Sequence, residues 1–358
     1  MRICFFIDDI THTGGIERVT SNLSQQFLVD RNDLVIDIVS QFKSDDKPWY
    51  CFDGCNLVYL TNKNYDAKPH SLQRLVRMIG NIWNVRQYFK NNKYDVIIGQ
   101  SFPNVFVLFI AGVRLTSVLA AEHVFYGYYG RFLRGVRIFI YRFCKKIIVL
   151  TSDDKECYDR HFKKEHTVLI PNPVVVPEYN YSLLNNKQSI AMGRIQYQKG
   201  FDTLVDVYSM VHKKYPDWIV NIYGDGNYRK EISDLISQKG LEGVVVLKGR
   251  TNDVPTVMKE ASFFILSSRF EGFGMVIVEA MCQGLPVVSF DCPTGPSDIV
   301  ITNYNGILVK NQDKEALAEA IIYMIENPER RKEMGKNAVE TAKKYKVTSI
   351  ARLWYNLF

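Results

Sequence analysis

Short apolar runs alternate with stretches in which apolar residues recur every three or four positions, and this alternation continues along the whole chain. Arg2 to Ile7, Leu34 to Ser40, Leu57 to Leu60, Asp95 to Gly99, Ser117 to Glu122, Ile147 to Leu150 and Val168 to Ile170 read as strands. Between them lie helical patterns. One begins at Ile16 and continues through Val19, Leu23 and Phe27; another runs from Ser71 to Lys90 with Leu72, Leu75, Val76, Ile79, Trp83 and Tyr88 on its apolar side. Phe106 to Ala111 starts a further helix, and Ser152 reads as the N-cap of one continuing over Lys155 to Lys163. The stiff segment Pro171-Asn172-Pro173, with Pro177 behind it, interrupts the pattern as a linker would. The alternation then resumes with strands at Ser189 to Met192, Ile219 to Tyr223, Val244 to Leu247, Phe263 to Leu266 and Pro286 to Phe290. Helices are expected from Phe201, before Gly284, over Lys314 to Glu326 and Glu329 to Lys344, and in the last segment, Thr348 to Phe358. Apolar strand runs separated by helices predict parallel sheets covered on both faces, hence an α/β chain of two doubly wound domains.

Length agrees, since 358 residues exceed one ordinary core and suit two. No apolar stretch reaches the length a spanning helix needs; the longest, Val105 to Ala120, is broken by Arg114. The opening M-R-I-C-F-F-I-D-D reads as a strand followed by acids rather than a signal peptide. Seven cysteines lie scattered without C-x2-C pairs, which points away from zinc and from a disulfide framework and toward a cytosolic protein, in which the sequons at Asn22 and Asn180 have no meaning. The formal charge of +7 is concentrated in the N-terminal half.

Candidate chemistry gathers in Ser267 to Asp298, which reads as strand, glycine loop, helix and strand. Glu271 sits in the loop after the first strand, at the sheet edge where open α/β sheets bind ligands, and Glu279 lies about two helical turns into the following helix. Gly272 and Gly274 let backbone approach a ligand, and carboxylates accept from paired sugar hydroxyls. Taken alone, two glutamates eight apart are equally a pair of solvated charges. Arg194 and Lys199 flank another strand-to-helix turn, where two cations and a helix start make a clamp for a diphosphate or, equally, a surface pair. Gly14-Gly15 lies between the first strand and first helix, an anion-binding geometry or simply a tight turn. His123 ends a strand, and a structural histidine is the plainer reading. From Val124 to Ser152 there is no acid; Arg131, Arg134, Arg137, Arg142, Lys145 and Lys146 interleave with aromatic residues, which suits an anionic membrane surface over residues 126–146. A solvated face ranks second and nucleic acid, lacking any motif, last.

The Glu271–Glu279 stretch resembles the E-x7-E signature of retaining glycosyltransferases of the GT-B fold, family 4 (group 1), and D-C-P-T-G-P resembles the bacterial branch that builds surface polysaccharides and lipid-linked oligosaccharides. The resemblance covers essentially the whole chain. It implies an N-terminal acceptor domain over 1–172, a nucleotide-sugar domain over 173–343, a cleft between them, and a terminal helix, 344–358, crossing back to the first domain. It also implies a hexosyl transfer with retention from a nucleotide diphosphate sugar, expected to be a UDP-sugar of the Gal, Glc, GalNAc or GlcNAc type, to a glycan or polyprenyl-linked acceptor. By resemblance, G-R-x4-K-G makes Arg194 and Lys199 the diphosphate clamp, with amides at Gly14, Gly15, Phe273, Gly274 and Met275 assisting. Glu271 and His123 contact the donor sugar, Glu279 holds the ribose, and the turns at Gly224 and Arg250 lie by the nucleoside. No metal is expected, because the cations can replace it and no D-x-D lies at a sheet edge. The protein would then work in the cytoplasm, peripherally on the inner face of the plasma membrane, without nucleic acid. Two rivals stand beside this expectation: a non-catalytic GT-B partner subunit, and a nucleotide-sugar epimerase of similar fold.

Overall fold

A computed structural model describes residues 1–62, 72–175 and 181–358. Pro177, the sequon at Asn180 and the side chains of Leu72, Leu75 and Ile79 lie outside what is described. The chain forms two compact units, Met1–Pro173 with Val347–Phe358, and Val174–Lys346.

The first unit is a seven-stranded, wholly parallel sheet in the order β3-β2-β1-β4-β5-β6-β7. Its strands are β1 (Arg2–Ile7), β2 (Val35–Ser40), β3 (Asn56–Tyr59), β4 (Val96–Gln100), β5 (Val118–Ala121), β6 (Lys146–Val149) and β7 (Thr167–Leu169). The central ones are buried on both faces, which is why their sequences are continuous apolar runs. The connecting helices are α1 (Gly15–Asp30), α2 (Leu72–Asn91), α3 (Ser101–Ile110), α4 (Arg131–Tyr141) and α5 (Ser152–Asp159). Strand order reverses direction between β1 and β4, so the loops after these two strands flank the place where such sheets bind ligands.

Several sequence expectations are revised here. Val76 and Trp83 do not face the core: Trp83 is 66% exposed, and the seam of α2 is Asn81, Val85 and Phe89, at helical spacing. Asn81 takes a buried place because its amide donates to the Gln41 carbonyl (3.1 Å), a group past the end of β2 that needs a donor. Helix α3 starts at Ser101 rather than Phe106; Pro103 fits a first turn, where its missing N–H costs nothing. The cap of α5 is Thr151, whose hydroxyl accepts from Asp154 N (3.2 Å), and the helix ends at Asp159.

The second unit is a six-stranded parallel sheet in the order β10-β9-β8-β11-β12-β13. Its strands are β8 (Gln188–Met192), β9 (Ile219–Tyr223), β10 (Val245–Gly249), β11 (Phe264–Leu266), β12 (Val287–Asp291) and β13 (Gly306–Lys310). Helices α6 (Phe201–Lys214), α7 (Arg229–Gln238), α8 (Val254–Lys259), α9 (Met275–Cys282), α10 (Pro296–Ile299), α11 (Lys314–Glu326) and α12 (Pro328–Lys343) cover it. Here the reversal lies between β8 and β11. The last helix, α13 (Val347–Tyr355), clusters with the first unit, where Tyr355 donates to Asp30 (2.7 Å) and the rings of Tyr355 and Phe358 pack on Phe27.

Candidate active site

In the second unit the strand order sets the expected residues side by side. Arg250 follows β10, Gly224 follows β9, Gly193-Arg194 follow β8, and the loop to Glu271 follows β11, all at the carboxyl edge of one sheet. The turns interlock through backbone. Gly193 N donates to Tyr223 O (3.0 Å) and Gly224 N to Gly249 O (2.8 Å). At Gly224 φ is +134° and a Cβ would stand 1.9 Å from the Gly193 carbonyl oxygen, so only glycine brings these two turns together.

Lys199 and Glu271 meet across the switch point. Lys199 Nζ donates to Glu271 Oε1 at 2.7 Å, with the lysine side chain 17% and the carboxylate 7% exposed. Ser268 Oγ donates to the same oxygen (2.6 Å), a residue the sequence reading passed over although it stands three places before Glu271. Glu271 N donates to Pro293 O (2.7 Å), and Ser267 Oγ holds the Lys199 carbonyl (2.9 Å), so both backbones are fixed to their neighbours. Below this pair, Arg269 makes a forked ion pair with Asp202 (2.9 and 2.6 Å) while its guanidinium stacks over Tyr197 at 4.0 Å. Arg194 is exposed, and among the described residues its side chain has no hydrogen-bond or ion-pair partner. Arg250 is likewise exposed.

Phe273 is buried against Tyr345, with ring centroids 5.6 Å apart, and Gly274 caps α9 with φ +89°. Met275 opens that helix and Glu279 lies half-buried one turn further. The helix start therefore stands next to the Lys199–Glu271 pair in sequence and in strand order, and its free amides favour an anion. Among the described residues no group of three or more His, Cys, Asp or Glu is arranged to hold a metal ion.

In the first unit, Gly14 is the N-cap of α1 and Gly15 its first residue, both exposed. The expected anion-binding loop carries a carboxyl of its own. A Cβ on Gly14 would stand 2.3 Å from Glu17 Oε2, and Glu17 is buried, which raises its pKa; nearby Asp8 and Asp9 push in the same direction. A carboxyl so placed meets hydroxyl groups more readily than phosphate.

His123 follows β5, and its Nε2 lies 2.5 Å from Gln100 Oε1. With that oxygen as acceptor, Nε2 carries the proton and Nδ1 presents a lone pair. Burial lowers the imidazole to about 4, so the ring is neutral at physiological pH. Gln100 ends β4 and belongs to a buried amide chain: Asn104 donates to the Gln100 carbonyl, Gln41 to Asn104 (2.7 Å), and Asn81 to the Gln41 carbonyl (3.1 Å). Ser101, directly after it, has φ +72°, a left-handed conformation for a non-glycine residue beside the strand-order reversal. Neither residue stood out in the sequence, since neither spacing nor composition marks them.

The basic aromatic segment divides in two. Arg137 is fully buried, donates to Tyr126 O (2.6 Å), approaches Glu122 (3.6 Å), and lies 5.2–5.3 Å from the ring centroids of Tyr126, Tyr129 and Tyr158. Tyr141 is also buried, donating to Glu122 (2.5 Å). These two are interior residues and not part of a surface. Arg131, Phe132, Leu133, Phe139, Arg142 and Phe143 are exposed, Phe132 by 82%.

Comparison with known proteins bears on both units. Residues 13–176 match the model of Glycosyltransferase Family 4, and residues 182–341 that of Glycosyl transferases group 1. An uncharacterized glycosyltransferase of Haemophilus influenzae is 28% identical over 99% of this chain and 98% of its own. The amylovoran biosynthesis glycosyltransferase AmsD of Erwinia amylovora is 27% identical over 99% of each chain. The crystal structure of Anabaena Alr3699/HepE in complex with UDP-glucose superposes with a TM-score of 0.78 over 99% of each chain, at 21% identity, which bears on the fold. The two parallel-sheet units are thus those of the GT-B fold, and the chain is a glycosyltransferase belonging to family 4, group 1.

Proposed function

We propose that the protein transfers a hexosyl unit, with retention, from a UDP-sugar of the glucose, galactose or N-acetylated type to a hydroxyl of a membrane-associated glycan or lipid-linked acceptor in surface polysaccharide synthesis. The observation that carries the reading is the Lys199–Glu271 pair at the strand-order reversal of the second unit, with Arg194, which has no side-chain partner among the described residues, on the neighbouring turn. A cation and a carboxylate side by side match a ligand that is anionic at its diphosphate and rich in hydroxyls at its sugar. The relative named for amylovoran biosynthesis and the neighbour holding UDP-glucose support the product class and the donor class.

In this mechanism the bond from the anomeric carbon to the diphosphate oxygen breaks while the acceptor oxygen bonds that carbon on the same face. The acceptor's proton passes to the departing diphosphate, and UDP leaves. Arg194 and Lys199 neutralise charge growing on the phosphates, and the amides of Phe273, Gly274 and Met275 add to that. Losing one such group typically costs about 10²–10³ in rate. Glu271 accepts from sugar hydroxyls, Glu279 from the ribose, and neutral His123 offers Nδ1 to a hydroxyl. On this reading the turns at Gly224 and Arg250 serve the nucleoside, and Gly14-Gly15 with Glu17 are the first unit's hydroxyl-accepting loop. No divalent metal takes part; activity that survives a chelator is the expected result, and abolition by chelator would overturn this point.

The exposed cations and rings of α4 support a peripheral association with the anionic inner face of the plasma membrane. No described helix is long and apolar enough to cross a membrane. The deciding experiment is thermal stabilisation by UDP-, GDP- and ADP-sugars of the wild type and of Arg194→Ala. Donor at 100 times its Kd stabilises by about 2.7 kcal/mol. A shift with one nucleotide class, lost in the variant, is expected. No shift in either protein would sink the donor site and leave a non-catalytic partner subunit.

A further inference from the structure

Helices α2, α3 and α4 pack in sequence, α2 on α3 and α3 on α4, over one hydrophobic cluster. None of the three contains an Asp or a Glu. Between the end of α2 and the turn after α3 opens a cleft of about 630 Å³. Its floor includes Phe89 and Tyr94, and four cations, Arg86, Lys90, Lys93 and Arg114, stand on its walls; among the described residues no carboxylate lines it. All four are exposed, and among the described residues none has a hydrogen-bond or ion-pair partner for its side chain. The nearest acid in sequence, Asp95, is held by the Arg2 amide at 2.7 Å. Tyr94 on the floor donates to the buried Asp37 carboxylate (2.6 Å), which Arg2 already pairs. Four exposed cations around one concave site make a positive potential that favours an anion of more than one negative charge, or several anions.

Apolar groups on the neighbouring helices indicate the source of that anion. Trp83 of α2, Ile110 of α3, and Phe139 and Phe143 on and just after α4 are all exposed, and Phe109, Phe139 and Phe143 form one aromatic cluster. A dissolved anion needs no such surroundings. A bilayer does, because rings settle at the interface while cations meet headgroups. We infer that the Arg86–Lys90–Lys93–Arg114 cleft binds phosphate-bearing headgroups of anionic lipids, and that the surface engaging the membrane spans α2, α3 and α4. The proposal rests on the membrane reading of α4 given above and extends it to a defined headgroup site.

Co-sedimentation with vesicles tests it, using phosphatidylcholine alone and phosphatidylcholine mixed with phosphatidylglycerol. Each cation near an anionic surface is worth about fivefold in partitioning, so Lys90→Ala/Arg114→Ala is expected to weaken binding to the anionic vesicles by about thirtyfold. Lys213→Ala/Lys336→Ala removes the same charge from exposed positions of α6 and α12 and is expected to change it less than about twofold, since neither position belongs to α2, α3, α4 or the cleft. Phe132→Ser/Phe139→Ser is expected to weaken binding to both vesicle types, and UDP-sugar stabilisation is to be unchanged in all three. If the wild type ignores both vesicles, the membrane reading and the cleft fall together. Should the wild type prefer anionic vesicles while the cleft variant keeps that preference, or loses no more than the control, the cleft alone is refuted. Thermal stabilisation by inorganic phosphate that needs Lys90 and Arg114, without vesicle preference, would make the site one for a soluble anion and overturn the lipid assignment.

Discussion

Replacing Lys199 by Met removes the ammonium 2.7 Å from Glu271 Oε1 and leaves the carboxylate, 7% exposed, with the Ser268 hydroxyl at 2.6 Å. Its cost lies between two limits. Exposed ion pairs are worth about 1 kcal/mol or less, and breaking a fully buried pair costs about 3–5 kcal/mol. The lysine retains partial access to water and Ser268 remains, so about 2 kcal/mol is expected, the scale of one hydrogen bond to a charged group. The reciprocal change, Glu271→Gln, leaves an ammonium that can turn toward solvent and still donate to an amide oxygen, and should cost less than about 1 kcal/mol. Scanning calorimetry reads the difference as a fall in Tm of about 4–8 °C for Lys199→Met and no more than about 4 °C for Glu271→Gln. The double variant should cost less than the sum of the two, by about 1 kcal/mol or more. Both single variants should lose about 10²–10³ in kcat/KM if the pair serves the donor. Additive stabilities, or a Glu271→Gln variant destabilised more than Lys199→Met, would refute the geometry argued for this pair.

Gly224→Ala puts a Cβ 1.9 Å from the Gly193 oxygen at φ +134°, whereas Gly240, also at positive φ, has nothing within 4 Å; urea unfolding should show a loss of about 3 kcal/mol or more for the first and about 1 kcal/mol for Gly240→Ala, and equal losses would contradict the interlocked turns. His123, lowered from 6.5 to about 4 by burial, contributes stability that is fully present above pH 6.5 and is lost as pH falls toward 4. That loss is on the order of 3 kcal/mol, and the stability difference between wild type and His123→Gln should shrink over that window; a difference flat from pH 7 to 4 would show the ring is not desolvated. Arg137→Met strands Glu122 in the interior and should cost about 3–5 kcal/mol in chemical denaturation, while Arg131→Met on the exposed face should cost less than about 0.5 kcal/mol.

The strands were legible because a parallel sheet buries both faces, so the apolar run itself carries the signal; β1, β9 and α11 lie where the pattern puts them. The face of α2 was not legible. Trp83 outranks Asn81 in apolarity, yet Asn81 is inside because a buried carbonyl at Gln41 requires its amide. Arg137 shows the same limit, since interleaved cations and rings describe a membrane surface and an internal cation lined by tyrosines equally well. Helices α8 and α10 are too short to show a period, whereas α7, with Ile232, Leu235 and Ile236 at helical spacing, and β13, with the run Ile307-Leu308-Val309, carried a signal that the sequence reading passed over.

By itself the sequence determined the class of fold, two doubly wound parallel sheets, and offered the residues of the proposed donor site through their family resemblance, because hydrophobic period and motif spacing are local properties of a chain. Only the tertiary structure decided that Lys199 is engaged by Glu271 while Arg194 has no partner among the described residues. It alone decided that His123 is a neutral ring locked to Gln100, that Glu17 shares the glycine loop, and that α2, α3 and α4 present one acid-free face. Those facts depend on which side chains are brought together from distant positions and how far each is removed from water, and desolvation and pairing are properties of the folded packing that no local spacing encodes.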